Sequence, residues 1–432
     1  MVKRITGLFL SALVFAGALA GCGGGESSSA GSGGEKAASP PETVTLKLYP
    51  GQMITSEDME LMVNGPLRKK YPHLSVEVID RTNNSLENQV ATGGQLDLIT
   101  TWNGSMSANM NLGIFEDIEP LAKKQGLDLG RFDPQALETI REIADDKKLY
   151  GLPYNVQFNA LYYNKDIFDK FAVSYPKDGM FWEDAIELAK KLSREADGVA
   201  YRGLDPDTIS RMSFPLSLEI VDARTNKVLI NSEPYRKLFE MGYKVYTIPG
   251  NKPAKWSVSS YDAFIKDKTV AMSAHVNLFP YIAQVPEFNW DIAQYPSYKE
   301  RPNVYGMYDL HIMSVSKTSK YKDETIKVLE VLFSDETQMI ATRRTGRVSP
   351  LKDPKFQQAY GADMPILKGK HLEAIFKSKP APAPRLSTHY SKASSIMRTH
   401  FQNYVDGKTD LNTALRSAEE EIVKYIQAQT GN

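Results

Sequence analysis

The chain has 432 residues, 42% of them hydrophobic and 24% charged, and its 52 Lys and Arg balance 52 Asp and Glu. That neutrality excludes a nucleic-acid or polyanion binder working through a basic surface, and the length suits two domains that bury their cores without disulfides. A single cysteine excludes a disulfide framework, and the six histidines form no HExxH or His-x3-His pair, so neither a metal site nor a cofactor is expected.

The N-terminus has a secretory layout. Lys3 and Arg4 precede an apolar run from Ile5 to Ala20 that is short for a membrane span, so residues 1–21 are expected to be a signal peptide. The tetrad Leu19-Ala20-Gly21-Cys22 resembles the bacterial lipobox. The resemblance implies lipidation at Cys22 and anchoring to the cell membrane through lipid only. Residues 22–42 are Gly- and Ser-rich with few apolar side chains and are expected to form a tether, about twenty residues reaching on the order of 25 Å r.m.s..

The folded part opens as strand, helix, strand, helix, strand. Val44, Leu46 and Leu48 alternate in "TVTLKLYP", the period of a strand. "SEDMELMVNGPLRKKYP" predicts a helix capped by Ser56, "LSVEVID" a strand, "SLENQVATGG" a short helix and "LDLIT" an apolar strand. A second block follows: "ALYYNKDIF" as a strand into a turn, "FWEDAIELAKKLS" as an amphipathic helix, and "TVAMSAHVN" and "DLHIMSVS" as strands. "KDETIKVLEVLFSD" and "LNTALRSAEEEIVKYIQ" predict helices, and "KSKPAPAPRLSTHY" a rigid surface connection. The expected class is α/β, with mainly parallel sheets covered by helices on both faces.

No Walker loop, no G-x-S-x-G elbow and no strand-borne dinucleotide fingerprint is present. "DARTNKVLINSE" spaces Asp222, Asn226 and Glu233 roughly like a calcium loop, yet Arg224 replaces a ligand and Lys227 the turn glycine, so a β-turn is expected there. The expected strand-to-helix loops carry a different signal. Trp102 and Asn103 lie in one, and Asn155 and Gln157 in the next. Trp256, Asn277, Tyr308 with Asp309, and Tyr390 each lie in another. Ring faces stack on the C–H faces of a sugar, amides and carboxylates bond its hydroxyls, and open α/β sheets bind ligands beyond the carboxyl ends of their strands. Taken singly, each has a structural reading: a Trp or Tyr in the core, an Asn serving its own turn.

Several stretches resemble the family 1 extracellular solute-binding proteins of ABC importers, the group containing maltose-binding protein. They are "LYGLPYNVQFNALYYNKDIFDKF" (149–171), "LGIFEDIEPL" (112–121), "YPKDGMFWEDAIELAKKL", "DKTVAMSAHVNLF" and "IMSVSKTSKYKDETIKVLEVLFSDETQ" (312–338), in the family's usual order. The resemblance implies a two-lobed, class II periplasmic-binding-protein-like fold, each lobe a mixed, mainly parallel sheet flanked by helices. Lobe one would comprise 43–156 and 307–348, lobe two 157–306 and 349–432, with crossings near Asn155–Val156, Tyr305–Met307 and Ser349. It further implies a monomeric, non-catalytic, extracytoplasmic receptor that passes an oligosaccharide to ABC permease subunits. Gln157 falls where relatives place a sugar-bonding carboxamide or carboxylate, Trp102 and Asn103 in a cleft-facing loop, and Tyr390 in a segment that contributes a ring. Near Asn277 the aromatics are Phe279 and Tyr281, a departure from the family's pattern. The alternatives are a secreted lipoprotein enzyme acting on polysaccharide, or a same-fold receptor for a polyamine, metal chelate or peptide.

Overall fold

The structure is a computed structural model that describes residues 42–430 apart from 53, 83, 257–260 and 286. The expected leader, Cys22 and nearly all of the tether fall outside the described residues. Thr43–Asn432 forms one compact unit.

The chain forms β1 (Val44–Pro50), β2 (Leu74–Val78), β3 (Leu98–Trp102) and β4 (Leu152–Val156), then β5 (Asn159–Asn164), β6 (Arg194–Ala196), β7 (Val199–Asp205), β8 (Val270–Val276) and β9 (Trp290–Gln294). It continues with β10 (Val304–Met307), β11 (Leu310–Val315) and β12 (Lys379–Ala381). Two five-stranded sheets result, ordered β2-β1-β3-β11-β4 and β6-β7-β8-β5-β9, with β10 and β12 as a separate parallel pair. In the first sheet β1 pairs parallel with β2 and β3, and β11 is inserted antiparallel between β3 and β4. In the second, β7 and β8 are parallel while β5 runs against β8 and β9. Each sheet has its own core. Leu46, Leu48, Leu98 and Leu152 belong to the first, and Leu161, Tyr162, Trp182 and Met272 to the second. The molecule is therefore two-lobed, and the inserted antiparallel strand is the consequence of a chain that leaves the first lobe, builds the second and returns.

The crossings are short. β4 passes to β5 through Gln157 and Phe158, and β10 to β11 through Tyr308 and Asp309. Val348 O accepts from Val156 N at 3.0 Å, tying the third crossing to the first. Past Ser349, Leu351 and Phe356 still pack in the first core, whereas Tyr360 and Leu367 pack in the second.

Local chemistry explains the departures from expectation. The first helix is capped by Thr55, not Ser56: Thr55 Oγ1 accepts from Asp58 N and Asp58 Oδ2 from Thr55 N, both at 3.0 Å, a reciprocal capping box. That helix (Ser56–Met59) widens into a π-helical stretch, Glu60–Asn64, before Gly65–Lys70. Pro66 has no N–H to offer the preceding turn, and Gly65 N–H bonds Glu60 O instead. The strand β5 runs into a helix (Lys165–Lys170) and not a turn, because Asn164 Oδ1 caps it by accepting from Asp166 N and Ile167 N. The proline-rich stretch is not a surface connection. Lys379–Ala381 pairs with β10, and Leu386, 5% exposed, joins Phe214 and Met307 in a third small core. Asp222 Oδ1 accepts from Arg224 N and Thr225 N, the turn that the loop's composition implies. No helix among the described residues is long and apolar enough to cross a membrane.

The helix Trp182–Leu192 lies directly on β7. A Cβ at Gly203 would sit 2.2 Å from Ala189 O and 2.5 Å from its Cα, so helix and strand approach as only glycine permits. Gly203→Ala is expected to destabilise the second lobe by about 1–3 kcal/mol, read as a lower urea midpoint; an unchanged midpoint would show that the helix shifts freely.

Candidate functional site

The first-lobe wall is built at the end of β3. Trp102 closes that strand, and its indole lies over Gly104, where a Cβ would be 2.4 Å from Trp102 Cη2. The ring meets Tyr390 edge-on, centroids 6.0 Å apart at 71°. Tyr390 opens the helix Tyr390–Val405 of the second lobe, so this aromatic pair bridges the lobes beside the small core of Phe214, Met307 and Leu386. Asn103 is buried and clamps the second crossing: its Nδ2 donates to Tyr308 O at 2.6 Å and its Oδ1 accepts from Leu310 N at 2.9 Å.

A polar floor runs between the walls. His311 on β11 is 8% exposed, and its Nε2 lies 2.9 Å from both Gln52 Nε2 and Gln157 Nε2. Burial pushes this imidazole down to about 4, so it is neutral near pH 7. One ring nitrogen of a neutral imidazole engages one hydrogen bond, and two carboxamides compete for it. Asn155 Nδ2 stands 3.4 Å from His311 Nδ1, while its Oδ1 accepts from Val348 N at 3.1 Å.

From Gln157 the network continues into charge. Gln157 N donates to Asp309 O at 2.8 Å. Asp309 Oδ2 pairs with Arg211 Nη1 at 3.0 Å, and Arg211 Nε with Asp207 Oδ2 at 3.3 Å. Asp207 Oδ1 is 3.5 Å from His275 Nε2, and the Tyr261 ring stands edge-on to His275 with centroids 5.5 Å apart. Asp207 has φ 64°, a left-handed backbone that Asp tolerates better than most residues. Its N–H is held by Asp205 Oδ1 at 2.9 Å. Two adjoining pockets, of about 160 and 330 Å³, share Asp207, Tyr246 and Trp256. Trp256 packs edge-on to Tyr246 at 4.9 Å.

Of the residues singled out in sequence, Trp102, Gln157, Asp309 and Tyr390 meet on one seam between the lobes, and Trp256 lies beyond Asp207 on the second lobe. Asn103, Asn155 and Asn277 brace the backbone: Asn277 Nδ2 donates to Gly346 O at 2.9 Å and its Oδ1 accepts from Phe279 N at 3.1 Å. Tyr308 Oη donates to Asp133 Oδ2 at 2.8 Å. Gln52, Asp207, Arg211 and His311 join the seam without having been singled out, while Tyr246 lies with Trp256 on the second lobe. Asp207 carried a signal, since "LDPDT" is a turn directly after a strand; the others carried none.

Solved structures share this architecture. An ABC substrate-binding protein from Listeria monocytogenes, in complex with cycloalternan, superposes with a TM-score of 0.71 at 20% identity, over 89% of this chain and 98% of that one. A sugar transporter protein from Rhizobium etli, in an open conformation, gives 0.69 at 21% identity, over 88% and 99%. The sugar-binding protein MalE from Xanthomonas citri gives 0.69 at 18% identity, over 90% and 98%. At these identities the likeness establishes the two-lobed fold. Residues 55–339, more than half of the chain, match the family described as bacterial extracellular solute-binding protein. With that match over most of the folded part, this chain belongs to the bacterial extracellular solute-binding protein family.

Proposed function

We propose that the protein is a lipid-anchored, extracytoplasmic receptor that captures a carbohydrate, an oligosaccharide by preference, between its lobes and delivers it to an ABC importer. In this reading the lobes, 43–156 with 307–348 and 157–306 with 349–432, close about the crossings as ligand shifts an open–closed equilibrium. The observation that carries it is the interlobe seam itself: the Trp102–Tyr390 pair beside Gln157, with two carboxamides at His311. Rings supply stacking faces and the amides supply hydroxyl partners. The sugars found with proteins of this fold support the same class. Asp207 and Asp309 share one guanidinium, which suits holding a solute better than attacking one. Cys22 would anchor the receptor, and the permease subunits would read the closed form.

The test is calorimetry of the tether-free protein, residues 43–432, against maltotriose, mannotriose and cycloalternan, with each sugar recovered afterwards by chromatography. Saturable binding of at least one, recovered intact, is expected. New reducing ends would establish the enzymatic reading, and binding confined to polyamines, metal chelates or peptides would replace the sugar.

A further inference from the structure

Three charged groups of the seam are not explained by the sugar reading alone. Arg211 is 19% exposed, Asp207 10% and Asp309 13%. The guanidinium carbon also lies 5.0 Å from the Phe214 ring centroid. Desolvation works against the guanidinium charge, but Asp309 and Asp207 outweigh it and hold its pKa above the usual value. Arg211 is therefore a fixed cation already claimed by two carboxylates on opposite sides, one from each lobe. The trio by itself carries one negative charge in excess; His311 is neutral near pH 7, and Arg398, whose Nη1 donates to Ser394 Oγ at 3.3 Å, lines the pocket beside Asp207.

The carboxylates keep acceptor capacity that the protein leaves open. A carboxylate offers about four lone-pair sites. Among the described residues Asp309 Oδ1 has no hydrogen-bond partner, and Asp207 Oδ1 meets only His275, at 3.5 Å. Tyr295, 1% exposed, has a buried hydroxyl that also lacks a partner among the described residues, and it lies within electrostatic reach of Arg211 and Asp207.

Resting on the receptor reading above, we propose that Arg211 is a specificity-determining residue that acts by being neutralised. Braced between Asp207 and Asp309, it presents their free oxygens to the hydroxyls of an uncharged solute and withholds its own charge from acidic ones. A neutral sugar donates its hydroxyls into Asp309 Oδ1 and Asp207 Oδ1, charge-assisted hydrogen bonds stronger than neutral ones. A uronate or phosphate would have to displace a carboxylate from Arg211 and then face it as a like charge in a site shielded from water.

The test uses the protein as it exists, with inorganic phosphate and digalacturonate as anionic probes, followed by calorimetry and thermal shift. The wild type is expected to show no saturable binding of either. Asp309→Asn, close in shape, unmasks Arg211 and is expected to bind them at least about tenfold more tightly. Asp207→Asn unmasks it from the other lobe and should do the same. Adding Arg211→Gln to either variant should abolish the gain. Wild-type binding of digalacturonate that Arg211→Gln removes would overturn the proposal, as would folded Asp309→Asn and Asp207→Asn proteins that both gain no anion binding. These readouts do not depend on which neutral sugar binds, so failure of the sugar panel would count against the receptor reading and not against the masked arginine.

Discussion

Replacing Arg347 by methionine is expected to destabilise the folded chain by about 3–5 kcal/mol. Arg347 grips Asp58 with both ends of its fork, Nη1 to Oδ1 at 2.6 Å and Nη2 to Oδ2 at 2.7 Å, with side chains only 14% and 10% exposed. Removing the cation strands a buried carboxylate that also serves the Thr55 capping box. The site matters because its neighbours anchor the third crossing. Gly346 O accepts from Asn277 Nδ2 and from Tyr360 Oη at 2.7 Å, and Val348 N donates to Asn155 Oδ1. Three consecutive residues are thus tied to different parts of the molecule. Desolvation acts to raise the Asp58 pKa, but the hydrogen bonds and charge of Arg347 outweigh it and hold the carboxyl below its usual value. A depressed folded-state pKa contributes stability that is present above the unfolded value and lost as pH falls through the folded one. Urea midpoints of wild type and Arg347→Met should therefore differ most near pH 7 and draw together only as pH falls below about 4, through the depressed Asp58 value. Asp58→Leu combined with Arg347→Met should recover part of the loss, because two apolar groups leave no stranded charge. Equal midpoints for wild type and the single variant at neutral pH would show that the pair contributes nothing.

If the protein has the proposed sugar-receptor function, Trp102→Ala is expected to weaken capture by about 2 kcal/mol or more, roughly 30-fold. The indole is only partly buried and packs on a small satellite core, outside the two large ones, so the chain should remain folded. What it loses is the ring that faces Tyr390 across the lobes and the surface that would stack on a sugar face. Gln157→Ala should cost less, because Gln52 reaches the same His311 nitrogen at the same 2.9 Å. Isothermal calorimetry on the two variants, with melting curves as the folding control, decides the matter. If Trp102→Ala binds like wild type, the aromatic pair is a lobe contact and nothing more.

Much of the fold was legible because its signals are local. Alternation in Val44, Leu46 and Leu48 marked β1, and apolar spacing through Trp182, Ala185, Ile186 and Ala189 marked a helix that is buried along those positions. Even the misplaced cap was readable: Thr55, not Ser56, has an acidic residue three positions later. The site was legible in part. The loops that follow strands drew attention to Trp102, Gln157, Asp309 and Tyr390, and these do converge. The amides of Asn103, Asn155 and Asn277 read the same way in sequence yet turn toward backbone groups far along the chain, which only the folded crossings bring within reach.

The sequence by itself determined the alternation of strands and helices, the two apolar cores and the family, because burial follows a periodicity written in neighbouring residues. Only the tertiary structure decided which polar groups answer one another. Gln52 meets His311 across 259 positions and Arg211 meets Asp309 across 98, distances along the chain at which no spacing rule applies. Their partnership is set by where β4 crosses to β5 and β10 to β11. A side chain's charge and hydrogen bonds act through space over a few ångströms, whereas a pattern in sequence speaks only for residues that are neighbours in the chain.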